Sequence, residues 1–157
     1  FLVPKSWRKW SVQNSLNLDF WLVKDVEMPS VCFYDGESGL DHTGAALKTV
    51  FQVWQRRSTK REKVSIPNAG LITKSSPIDA DVAVTAFGWS CGRVEVDFER
   101  VPNTTKMFLK ASGPEVVKAL QSVDYSVFYK NTAYTYALGI QEIRHLVQEY
   151  LRHPPPG

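Results

Sequence analysis

Three groups of side chains in this sequence could do chemistry, and two of them point to a polyanion. Lys5, Arg8 and Lys9 fall within the first ten residues with no acid among them. Arg56, Arg57, Lys60, Arg61 and Lys63 fall within Lys48–Lys63, a stretch of six basic side chains against the single acid Glu62. The whole chain carries a net charge of only +3 at pH 7, so the remainder is acidic in balance. Basic clusters on a near-neutral chain are a means of contacting phosphates, because each contact releases condensed counterions and makes binding salt-dependent. The plain alternative is a pair of solvated surface segments.

The third group is acidic. Glu95, Asp97 and Glu99 alternate, and alternate residues of a strand share a face. Three carboxylates on one face could seat a metal ion, as in a nuclease; a solvated strand face would show the same pattern. No other metal or nucleophile arrangement can be argued. His42, His145 and His153 lack ligand spacing, and Cys32 and Cys91 are too few and too far apart for structural zinc. The two cysteines read as reduced, buried thiols of a cytoplasmic protein. Asp35–Gly39 (DGESG) has the glycines of a cofactor loop but no buried strand leading into it.

These residues need elements to hold them. Phe1–Pro4 reads as the end of an apolar strand stopped by Pro4. Lys5 to Leu16 suits a short helix or turn. Asp19–Val26 and Thr49–Trp54 are rich in aromatic and β-branched residues and read as strands, with loop composition between them over Phe33–Gly44. Short strands then recur as GLITK, DVAVTAF, RVEVDF and KMFLKA. Ser112 and Glu115 have the spacing of a capping box ahead of a helix burying Val116, Val117 and Leu120. A last helix, about Leu138 to Leu151, puts Ile140, Ile143, Val147 and Tyr150 on one face and ends at the prolines. Lys5, Ser6 and Trp7 follow the C-terminal end of a strand, where open α/β sheets place ligands. They could wall a base or cofactor pocket or simply plug a turn. Gly88, Trp89, Ser90, Cys91 and Gly92 read as a tight loop, either facing a target or closing a β-turn.

No apolar run approaches the roughly 20 residues of a membrane helix. At 157 residues and 43% apolar content, the chain suits one compact domain or half of a larger one. Its opening inside a strand is how a fragment, a processed product or a separate subunit would begin.

The strings FLVPKSWRKWSVQNSLNLDFWLVKDVEMP and TVFQVWQRR resemble the C-terminal half of a class I S-adenosylmethionine-dependent methyltransferase family of phages and mobile elements, the adenine-N6 DNA methylases. DADVAVTAFGWSCGRV, NTTKMFLKA and YKNTAYTYALGIQEIRHLVQEYL extend the likeness over nearly the whole chain. These are packing and loop signatures. The family's Gly-rich cofactor loop and its Asn-Pro-Pro-aromatic tetrad, which lie upstream of the PKSW turn, have no counterpart here. The tetrad holds the exocyclic amine of a flipped adenine while its ring stacks on the base.

The resemblance implies an α/β fold: the late part of a Rossmann-like sheet with an antiparallel last strand pair over residues 1–63, then an α+β extension over 64–157 that faces the target. It implies S-adenosylmethionine as cofactor of the intact enzyme, no cofactor for this chain alone, no catalytic residue in it, and DNA as partner beside a missing N-terminal half or second subunit. The other readings are a non-catalytic nucleic-acid-binding module and a metal-dependent nuclease on Glu95 and Asp97. Asp19–Val26 and Thr49–Trp54 should pair antiparallel, burying either Val50 and Gln52 or Phe51 and Val53, since both faces are largely apolar, as in a sheet covered on both sides. The two basic stretches should reach one side of the molecule if the loop Ser58–Pro67 folds back.

Overall fold

A computed structural model describes residues 1–29, 48–132 and 135–156. The chain is mixed α and β and divides into two compact units. One is Phe1–Val64 with Asn131–Tyr134, the other Ser65–Lys130 with Thr135–Gly157.

The first unit begins with β1 (Leu2–Pro4), a 3-10 turn (Lys5–Arg8) and α1 (Trp10–Ser15). Strands β2 (Phe20–Glu27) and β3 (Thr49–Arg56) follow. The sheet order is β1-β3-β2, with β3 antiparallel to both neighbours. β1 and β2 therefore run in the same direction, joined through α1, with β3 inserted between them. Pro4 sets the exit from β1: its backbone φ of −56° is the angle that its ring enforces. The amide of Lys5 then donates to the Lys48 carbonyl at 2.8 Å.

The expected pairing of the two long strands is present, and the choice of face is settled. Val50 and Gln52 are fully buried, while Phe51 and Val53 are 43% and 38% exposed. The expectation of a sheet covered on both sides does not hold here, because Leu2 and Val26 lie opposite Phe51 in register and are exposed as well. A β-bulge between Leu22 and Lys24 sets this arrangement. Leu22 pairs with Trp54 on the inner face, but beyond the bulge it is Asp25, opposite Gln52, that points inward. One extra residue shifts the alternation by one.

The second unit holds β4 (Ile72–Lys74), β5 (Val82–Thr85), β6 (Val94–Glu95) and β7 (Lys106–Ala111) in the antiparallel order β4-β7-β5-β6. Helices α2 (Pro114–Ser122), α3 (Ser126–Tyr129) and α4 (Ile140–Arg152) complete it. Ile72, Val82, Val84 and Leu109 form one core with Val116, Leu120, Ile143 and Val147, all fully buried. On the opposite sheet face Ala80, Ala83 and Phe108 pack with Phe98. All four residues of β5 are buried, as expected of a central strand.

Three local expectations are corrected. The helix after Ser112 is capped by Gly113 with no side-chain cap bond, because Pro114 occupies the first helical position and fixes the entry. Glu95, Asp97 and Glu99 do not share a strand, since β6 ends at Glu95. There Phe98 packs against Phe108 and Arg100 donates to the carbonyls of Pro77, Ile78 and Ala80, drawing the chain away from β5. A short helix, α3, stands where no element was expected. Cys32, His42, Asp35–Gly39 and the loop Phe33–Gly44 lie outside the described residues. Among the described residues, no helix is long and apolar enough to cross a membrane.

Candidate nucleic-acid interface

The basic residues of the first unit start from opposite ends of β3. Lys5 and Arg8 stand where β1 and β2 end, and they do not face solvent unaccompanied. Lys5 Nζ contacts Glu27 Oε1 at 2.6 Å. Arg8 donates through Nε to Asp25 Oδ1 at 2.9 Å, through a second nitrogen to the same oxygen, and to Glu27 Oε2 at 3.2 Å. This fork keeps the guanidinium above its ordinary pKa, chiefly through the bond to Asp25 and against a burial that lowers it. Burial alone would raise the Asp25 carboxyl, but hydrogen bonds from Arg8 and Gln52 hold it below the usual carboxylate range. Glu27 is held low by its bonds from Lys5 and Arg8. Lys9 is half-buried beside them.

At the far end of β3 the chain makes a tightly anchored basic loop. The amides of Arg57 and Arg61 donate to the carbonyls of Asp19 and Leu18, both at 2.9 Å, and the Trp21 indole N–H donates to the Thr59 carbonyl at 2.9 Å. The Arg57 guanidinium lies 4.9 Å from the centre of the Trp21 ring. Arg61 donates to the Phe20 carbonyl at 2.8 Å and to the Gln13 carbonyl, and sits 5.8 Å from the Trp54 ring. Val64 closes the path with reciprocal bonds to the Asn14 side chain at 2.8 and 2.9 Å. The loop thus runs back along α1. Arg61 is half-buried and built into the fold, whereas Arg56, Lys60 and Lys63 project into solvent, and Arg57 is exposed too but lies against Trp21.

Beside this loop Phe1, Trp7, Leu16, Asn17, Phe20 and Trp54 enclose an apolar cleft of about 240 Å³. Trp7 lines this cleft together with the aromatic residues of β2 and β3. Ser6, in the 3-10 turn, is half-buried. Gly88 and Trp89 belong to the second unit. Gly88 and Gly92 adopt φ of +95° and +90°, angles that favour glycine. Trp89 between them is 94% exposed and meets Tyr136 edge-on at 5.9 Å.

Glu95, Asp97 and Glu99 line an open cleft of about 510 Å³ with Asn103 and Lys106. Lys106 Nζ holds Glu95 Oε2 at 2.6 Å, and that hydrogen bond keeps the Glu95 carboxyl low. Among the described residues, no three of His, Cys, Asp and Glu converge as metal ligands do.

Asp25 and Glu27 are the residues that sequence reasoning missed, and Gln52 stood in it only as one of two alternatives for the buried face. Their signal was a polar side chain at an apolar-run position: Gln52 in TVFQVW and Asp25 in FWLVKDV. Comparison with protein-family models, characterised proteins and solved structures finds no match to this chain.

Proposed function

We propose that this chain is the sheet-completing, target-facing half of an S-adenosylmethionine-dependent adenine-N6 methyltransferase, and that it contacts DNA through the loop after β3. The observation that carries this reading is the arrangement of the first unit, in which a strand, a helical crossover and a second parallel strand have an antiparallel strand between them. The late part of an open α/β sheet with an antiparallel last pair has this form. The exposed apolar face of Leu2, Val26, Phe51 and Val53 supports it further, as a surface fitted for a covering layer.

The described residues do not fit the cofactor themselves. The turn leaving β1 is Pro4-Lys5-Ser6, with no glycine to admit a ligand against the backbone, and the ion pairs of Lys5 and Arg8 occupy that edge. The cofactor, the Asn-Pro-Pro-aromatic tetrad and the transfer step belong to the other half of such an enzyme. A second reading, a non-catalytic nucleic-acid-binding module, is favoured by one feature: the anchors named above for residues 57–64 lie within the first unit.

The loop decides whether the chain binds nucleic acid at all. Arg56→Ala, Lys60→Ala and Lys63→Ala combined leave the anchors untouched. The triple variant should weaken binding of a labelled DNA duplex uniformly across sequences, lowering the slope of log affinity against log salt by up to about 0.9 per lost contact. Unchanged affinity and slope would reduce the loop to a solvated surface.

A further inference from the structure

The aromatic cleft beside the basic loop has no part in the reading above beyond its position, yet its chemistry is specific. We infer that it is a stacking site for one unpaired nucleobase of a single strand whose flanking phosphates lie on Arg56 and Lys60. This inference rests on the nucleic-acid reading of the loop and adds to it a site, a strand state and a role for the aromatic residues.

The walls argue for a planar ring. Phe1, Trp7, Phe20 and Trp54 contribute four aromatic side chains, with Leu16 completing the apolar lining. Among the described lining residues Asn17 supplies the one polar side chain, and its Oδ1 already accepts the Asp19 amide at 2.9 Å. A site with so few hydrogen-bonding groups cannot read base edges, but it can stack any base, since every base has a π-face. Its volume of about 240 Å³ lies below the roughly 300–1,000 Å³ of pockets that enclose a whole small molecule. It therefore takes a ring and leaves the sugar and phosphate outside.

The rim argues for an anion. Arg61 is held by the carbonyls of Phe20 and Gln13, so its charge stands 5.8 Å from the ring of Trp54, one wall of the cleft. Arg56 lies opposite Phe20 in the strand register, and Lys60 is in the anchored loop. Both are exposed. Phe1 and Phe20 are exposed too, which opens the cleft to solvent on that side. An aromatic slot with a fixed cationic rim is the combination that holds single strands without sequence preference. A methyl-rich protein segment would satisfy the walls but leave the rim without a partner.

The test compares two oligonucleotides of roughly eight nucleotides, one bearing thymines and one abasic at its central positions, with equal phosphate counts. Fluorescence anisotropy with the full chain should give about tenfold tighter binding of the base-bearing strand, accompanied by quenching of tryptophan emission. Phe20→Ala should remove that preference while leaving abasic binding unchanged. Equal affinity of the unaltered chain for both strands overturns the cleft, whatever the variant does. If the salt slope still falls in the Arg56, Lys60 and Lys63 triple variant, the loop reading survives that outcome. If neither strand nor a duplex binds at low salt, both readings fall.

Discussion

Gln52 bridges the ion-paired end of the first sheet to its aromatic end. Its amide nitrogen donates to Asp25 Oδ2 at 2.7 Å, and its amide oxygen accepts the Trp54 indole N–H at 3.0 Å. A fully buried amide is thus satisfied on both sides by residues from two strands. Gln52→Leu keeps the bulk but leaves the indole N–H and one carboxylate oxygen without that partner. We expect a loss of about 2–3 kcal/mol, measured as a lower urea midpoint with the slope unchanged. Wild-type stability in this variant would show that water replaces the amide.

The same network fixes an acid limb of stability. Asp25 and Glu27 have carboxyls held below their ordinary values, so the unfolded chain takes up protons first as pH falls. Their contribution is complete above the unfolded values of roughly 3.9 and 4.3 and is lost as pH falls through the lower folded values. Thermal unfolding between about pH 6 and pH 3 should show the melting temperature falling on the acid side, and Asp25→Asn should flatten that fall. A variant as acid-sensitive as the parent would place the cause elsewhere.

Gly88 and Gly92 separate backbone strain from collision. Both have positive φ, but an added Cβ meets nothing within 4 Å at Gly88 and stands 3.0 Å from Tyr125 Cβ at Gly92. Gly88→Ala should cost about 1 kcal/mol, the backbone term alone. Gly92→Ala should cost about 2–3 kcal/mol, since Tyr125 is buried and its hydroxyl is tied to the Leu120 carbonyl at 2.6 Å. Equal melting temperatures for the two variants would mean that Tyr125 moves aside.

Calorimetric titration of the isolated chain with S-adenosylmethionine should give no heat of binding in the micromolar range. The turn leaving β1 lacks a glycine, and its charged side chains are already engaged. Micromolar binding would require a pocket built from residues other than those of that edge.

What was legible in the sequence was what depends on local residue type. Phe20–Glu27 and Thr49–Arg56 announce themselves as strands because β-branched and aromatic side chains suit a pleated surface, and Pro4 and the terminal prolines stop their elements by removing donors. The fate of the charges was not legible. Lys5 and Arg8 read as phosphate ligands until the strand order brings Asp25 and Glu27 beside them. Glu95 to Glu99 read as an alternating strand until Phe98 and Arg100 find partners on the other side of the sheet. Arg61 looked like one of five equivalent cations, yet two backbone carbonyls make it a structural brace. In each case the deciding partner is distant in sequence.

The bulge between Leu22 and Lys24 makes the length of β2 a piece of information separate from its composition. With it, Asp25 meets Gln52 and Val26 meets Phe51. Regular pairing that kept Val23 would set Lys24 opposite Gln52 and Asp25 opposite Phe51, turning the second half of the strand inside out, whereas deleting Val23 would remove the bulge and keep Asp25 opposite Gln52. The polar joint of this sheet is thus written in one irregularity of pairing, which the residue types on either side of it do not spell out.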